Sequence, residues 1–185
     1  MTLEEFKQSF IPQINRVIEW NELAGNVGTD MIPIYNHLCD EEMAELSEAI
    51  ENAHTIEAIV KEACDQLVVE CYLAHLYYED SFESIPQYVW GNLWLLQRLG
   101  VNMLGAFKAV VDSNWSKFSS AAELKYEDMD AHCQYLQSER YPSVCAEVKG
   151  GFVIWRDVAS GKLLKGPEYK EPDLRPFLPE QARYV

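Results

Sequence analysis

Two short runs of acidic residues hold the most chemistry that this sequence could perform. Glu42 and Glu45 stand three residues apart, and Glu62 and Asp65 repeat that spacing after sixteen intervening residues. On a helix, side chains three residues apart are neighbours, so each pair would present two carboxylates together. Spacing alone is a weak signal. The acid-x-x-acid pattern occurs eight times in the chain, among them Glu19/Glu22, Asp80/Glu83, Glu127/Asp130 and Glu168/Glu171, for which no role suggests itself. Placement relative to the apolar residues separates the candidates. At about 100° per residue, with Leu46 at the centre of an apolar arc, Tyr35, Cys39, Met43, Ile50 and Ala53 fall within about 60° of it. Glu42 then lies about 40° from the centre and Glu45 about 100°, at the rim. Glu41, Glu48 and Glu51 lie farther round, on the face expected to meet water. An isolated carboxylate aimed into a core is costly unless it is protonated or paired, so Glu42 requires compensation.

The next helical stretch repeats the theme. Ile56, Val60, Ala63, Cys64, Leu67, Cys71 and Ala74 make one apolar face, and Ala58, Val69, Tyr72, Leu73 and Leu76 make the opposite one nearly as apolar. A helix apolar on both sides is enclosed by neighbours. Glu62 and Asp65 lie on the second face, with Lys61 the nearest cation in sequence. Two arrangements fit. One is a solvated acidic face with a few core acids paired to distant arginines. The other is a carboxylate cluster from two antiparallel helices held by hard divalent cations, Mg²⁺ or Mn²⁺, which prefer oxygen ligands.

The elements that must position these groups read as mainly α. A first helix is expected over 10–22, with Ser9 as its cap and Pro12 tolerated in its first turn. Ala24 to Pro33 carries Gly25 and Gly28 and reads as a loop. A second helix is expected from Ile34 to Asn52 and a third from Thr55 to Glu79, broken by Ser81 to Pro86. Residues 87–118 read as one or two further helices interrupted near Gly100. Val144–Val148, Phe152–Val158 and Lys162–Leu164 read as short strands, and the tail from Pro167 as extended. The expectation is one domain over 1–185: a helical bundle, with its core at about 10–118, carrying a small C-terminal β-hairpin and an extended tail.

Composition narrows the function classes. The chain has 185 residues, 48% of them apolar types and 12% aromatic, enough for a conventional core. No stretch has the run of about 20 apolar residues that a membrane span needs. The opening Met1-Thr2-Leu3-Glu4-Glu5 fits neither a secretory signal nor a transit peptide, so a cytoplasmic location is expected. Residues 1–85 hold 18 acids against three bases, so the formal charge of −15 resides there. Such a surface repels nucleic-acid phosphates. The five cysteines form no C-x-x-C pair and the four histidines no H-E-x-x-H motif, which leaves zinc chemistry without support.

Glu42-x-x-Glu45 followed by Glu62-x-x-Asp65 resembles the E-x-x-E…E-x-x-D signature of the all-α NTP pyrophosphatases, the MazG-like superfamily. Asp40-Glu41-Glu42-Met43-Ala44-Glu45-Leu46 is similar to that family's E-E-x-x-E-L text. Ser113-Asn114-Trp115-Ser116-Lys117 resembles an S-N-x-S-K helix of its phage and bacterial members. Gly161-Lys162-Leu163-Leu164-Lys165-Gly166-Pro167 with Pro172-Asp173-Leu174 resembles their G-K-x-x-K-G-P…P-D-L tail. The resemblance implies hydrolysis of a (deoxy)nucleoside triphosphate to monophosphate and pyrophosphate, with Glu42, Glu45, Glu62 and Asp65 holding two or three Mg²⁺ or Mn²⁺ ions. It implies Glu45 or Glu41 as proton acceptor, and Asn114, Lys117, Lys162 and Lys165 as phosphate contacts. It further implies Trp20 and Asn21 at the nucleobase, a purine such as (d)GTP as substrate, and a homodimer or homotetramer. Hydrolysis of dUTP, dCTP or phosphoribosyl-ATP would use the same carboxylates. A non-enzymatic acidic protein that mimics DNA is the rival from another class. Residues 119–160 read as an insertion with β content of its own.

Overall fold

The computed structural model describes residues 1–52, 54–78, 82–139 and 141–180. The chain divides into two compact units, Met1–Val111 with Pro172–Val185, and Asp112–Glu171. The architecture is mainly α, with a small antiparallel sheet toward the C-terminus. No helix among the described residues is long and apolar enough to cross a membrane.

The first unit opens with a helix that the sequence pattern did not lead us to expect, α1 (Leu3–Ser9). Its start is a reciprocal cap: the Glu5 amide donates to Thr2 Oγ1 and the Thr2 amide donates to Glu5 Oε2, the T-x-x-E capping box. Ser9 therefore ends α1, donating to the Phe6 carbonyl at 2.6 Å, and does not cap the next helix. That helix, α2 (Ile11–Ala24), carries Pro12 in its first turn and stops at Gly25, whose φ of 84° suits a residue without Cβ. The expected loop is partly helical. A 3-10 turn at Thr29–Met31 runs into α3 (Ile32–Glu51), with Pro33 in the first turn, where no amide is required.

Helix α4 (Ile56–Tyr77) is capped by Thr55, which accepts from the Ala58 amide at 3.3 Å. It packs against α2, α3 and α5 (Gln87–Arg98), which is why both its faces are apolar. Its expected last residue, Glu79, lies outside the described residues, as do Ala53, Asp80 and Ser81. Helix α6 (Met103–Trp115) follows the break at Gly100, where φ is 93°. Phe10 knits this core, its ring centroid 4.9 Å from Phe6, 5.7 Å from Trp90 and 5.6 Å from Phe107. The tail closes on α6: the Asn102 amide donates to the Phe177 carbonyl at 2.8 Å.

In the second unit, β1 (Ser119–Ser120), β2 (Val144–Lys149) and β3 (Phe152–Asp157) form one antiparallel sheet in the order β1-β3-β2. The β2–β3 hairpin pairs Val144 with Asp157 and Lys149 with Phe152, turning through Gly150 and Gly151. The expected strand at Lys162–Leu164 is reduced to a single bridge between Arg156 and Leu163. The stretch read as an insertion contains a helix as well, α7 (Tyr126–Glu139). Its Met129, Cys133 and Leu136 reach the small core of Val153, Trp155 and Leu164.

Candidate metal centre

The rotation of α3 decides which acids turn inward. Tyr35, Cys39, Leu46 and Ala49 are its buried residues, and Glu42 lies on the same stripe. The buried arc is turned toward Glu42 relative to the expected one, because α4 packs on that side. Met43 and Ile50, expected inside the arc, are 44% and 54% exposed. Glu42 is half-buried, whereas Glu41, Glu45, Glu48 and Glu51 are exposed.

Across the helix pair, α4 offers Glu62 and Asp65, both partly buried. One carboxylate oxygen from each of Glu42, Glu62 and Asp65 lies within 4.8 Å of the others. Three like charges so close disfavour ionisation. Burial, with Asp65, Glu45 and Glu62 behind it, pushes the Glu42 carboxyl up to about 7. Glu42 has no hydrogen-bond partner among the described residues. Lys61 compensates the α4 pair, its ammonium 3.1 Å from Glu62 Oε1 and 2.8 Å from Asp65 Oδ2. Burial opposes the Lys61 charge, but Asp65 and Glu62 outweigh it and hold the group above its ordinary range. One lysine on the same helix thus balances two of the three acids. The residues fit a hard cation nonetheless: among the described residues the buried Glu62 Oε2 has no hydrogen-bond partner, and Glu42 brings a third carboxylate oxygen within 4.8 Å of the α4 pair.

Glu45 is not one of the three convergent carboxylates. It stays at the exposed rim, one turn along from Glu42, near enough that its charge raises that group. Glu41 pairs with His37 at 3.4 Å on the surface and takes no part in the cluster.

Trp20 and Asn21 are not displayed for a ligand. Trp20 is buried in the core of its unit. Asn21 is fully buried, donating to the Val17 carbonyl at 3.1 Å while its Oδ1 accepts from Asn26 Nδ2 and the Tyr35 hydroxyl. The amide expected to read a base is consumed in locking α2 to α3. The next residue does reach open space. Glu22 and His75, 3.3 Å apart, line a pocket of about 220 Å³ with Gly28, Thr29 and Tyr72. Tyr72 follows Asp65 by seven residues on the same face of α4, a rise of about 10 Å.

No family model, curated protein or solved structure matches this chain.

The remaining expected contacts belong to the second unit. Lys117 donates to Asn114 Oδ1 at 2.7 Å just past α6, so these two do come together. The Gly166 amide donates to the Lys117 carbonyl at 3.0 Å, which joins the S-N-W-S-K segment to the G-K-L-L-K-G-P segment. Lys165 lies 4.2 Å from the Tyr169 ring and pairs with Glu171 at 2.7 Å. Lys162 is exposed.

Sequence reasoning overlooked Gln66 and Glu70. Both are buried on α4, at successive i+4 steps from Glu62. That spacing, polar through the middle of an enclosed helix, was the available signal.

Proposed function

We propose that the protein hydrolyses a nucleoside triphosphate to the monophosphate and pyrophosphate with the help of Mg²⁺ or Mn²⁺. The observation that carries this reading is the convergence of Glu42, Glu62 and Asp65 from two helices, with Glu42 lacking a partner among the described residues. An oxygen-only donor set of this kind suits hard divalent cations. When bound, such a cation neutralises a polyphosphate and acidifies a water molecule.

The chain's own residues divide the remaining work. Glu42, Glu62 and Asp65 would hold the cation, in competition with the Lys61 ammonium for the oxygens of Glu62 and Asp65. Glu45 accepts the proton of the attacking water. Of the two candidates it is the better placed, since Glu41 already faces His37. The pocket beside Glu22, Tyr72 and His75 supports a ligand laid along α4, with its polyphosphate at the carboxylates and its nucleoside about two turns away. A homodimer or homotetramer belongs to the same reading, and the exposed Met43 and Ile50, two turns apart on one face of α3, support it.

The test is a panel of ribo- and deoxynucleoside triphosphates with Mg²⁺ and then Mn²⁺, scoring pyrophosphate against orthophosphate. Cation-dependent pyrophosphate release, lost in Asp65→Asn with helical circular dichroism retained, is the expected result. Unchanged turnover in that variant refutes the assignment. Absence of pyrophosphate release together with a salt-sensitive complex with a basic protein would favour an acidic interaction protein instead.

A further inference from the structure

Gln66 is 1% exposed, and neither its amide nitrogen nor its amide oxygen has a hydrogen-bond partner among the described residues. A buried amide left without hydrogen bonds is destabilising, so its presence calls for a role. Its position along the helix pair points to one. Glu62, Gln66 and Glu70 occupy one stripe of α4 at steps of four residues, which brings neighbouring side chains within reach of each other. At one end of the stripe, Glu62 meets Glu42 of α3. At the other, Glu70 accepts from the Tyr88 hydroxyl and lies against Cys39 of α3. Cys39 and Glu42 are themselves one turn apart. Gln66 is thus bracketed on both helices, inside the interface and beside the carboxylate cluster.

Glu62 shows the complementary vacancy. Its Oε1 accepts from Lys61, while its Oε2 is buried without a partner. A donor with no acceptor and an acceptor with no donor therefore stand one helical turn apart. We propose that Gln66 is a positioning residue, whose amide nitrogen donates to Glu62 Oε2 and turns Oε1 from Lys61 toward a divalent cation. The inference rests on the cation-dependent reading above and adds to it a residue that acts through Glu62. Partners that orient a ligating carboxylate typically govern ion affinity by 10–100-fold.

The probe is Mn²⁺ itself, titrated into the EDTA-treated full chain and followed by the electron paramagnetic resonance signal of the free ion. Gln66→Met keeps the volume and removes the amide. The expected result is a Kd for Mn²⁺ raised about 10–100-fold, with a melting temperature in EDTA at or above that of the unchanged protein, because an unmet burial cost has been relieved. Wild-type affinity in Gln66→Met overturns the proposal. A lowered melting temperature in EDTA, or failure to fold, overturns it too, since that would show the amide already partnered and merely structural. If the unchanged protein binds no Mn²⁺, the cation-dependent reading falls and this inference with it. If it binds and only the variant's insensitivity is found, the reading stands and the role of Gln66 alone is lost.

Discussion

Replacing Glu42 with Gln should stabilise the protein when divalent cations are removed, against the usual expectation for a change in a packed site. Folding raises the Glu42 carboxyl from 4.5 to about 7, chiefly by burial and then by Asp65, Glu45 and Glu62. The folded state therefore holds the proton more tightly than the unfolded chain. Its contribution is complete below about pH 4.5 and is lost as pH rises through 7. At about 1.4 kcal/mol for each tenfold change in proton affinity, full loss would amount to about 3 kcal/mol. Glu42 is only half-buried, and solvent screening reduces this to roughly 1–2 kcal/mol. Glutamine cannot ionise and escapes the penalty. For a chain of this size the gain corresponds to roughly 2–8 °C in melting temperature. Thermal melts in EDTA, followed by circular dichroism, should show the variant above the unchanged protein at pH 8 and the two nearly equal at pH 5. Saturating Mn²⁺ should reverse the order, raising the unchanged protein and leaving Glu42→Gln where it was. A variant less stable than its parent in EDTA at pH 8 would refute the reasoning, because Glu42 would then be making favourable contacts as an anion.

Two further outcomes are expected, one at the carboxylates and one in the second unit. Lys61→Met removes the ammonium that bridges Glu62 and Asp65; the melting temperature in EDTA should fall, while the upward shift given by saturating Mn²⁺ should grow, as a competitor for the same oxygens has gone. Gly166→Ala would place a Cβ 2.6 Å from the Lys117 carbonyl oxygen and 2.7 Å from the Trp155 ring; overpacking of this kind costs about 1–3 kcal/mol, read as an earlier loss of near-ultraviolet tryptophan ellipticity on heating.

How much of this was legible in advance depended on the range of the interactions involved. The break at Gly100 and the β2–β3 hairpin through Gly150-Gly151 came from local signals, and both are present. The capping box that starts α1 was equally local, a Thr2-x-x-Glu5 pattern that went unread. Helix α7 was missed because a single residue of it, Leu136, is buried, so its apolar pattern is thin. The direction of Glu42 was near the mark because helical rotation constrains it. The tilt of the arc away from Met43 and Ile50 was not foreseeable, since it reflects where α4 comes to rest. Trp20 and Asn21 show the sharper limit. Their residue types suit stacking and base reading, yet Asn21 is spent on Asn26, Tyr35 and its own helix.

The amino-acid sequence by itself determined that α4 would be enclosed, and that Glu62 and Asp65 would share one of its faces. Both properties depend only on residues within a few turns of one another on a rigid helix. Tertiary packing decided the rest of the centre: that Glu42 joins them while Glu45 stays in water, that Lys61 balances two acids and leaves the third, and that Gln66 is sealed in with its amide unsatisfied among the described residues. Those outcomes turn on how two helices rotate about their axes when their surfaces meet. Burial and charge repulsion summed over both helices set that rotation, and neither segment encodes it alone.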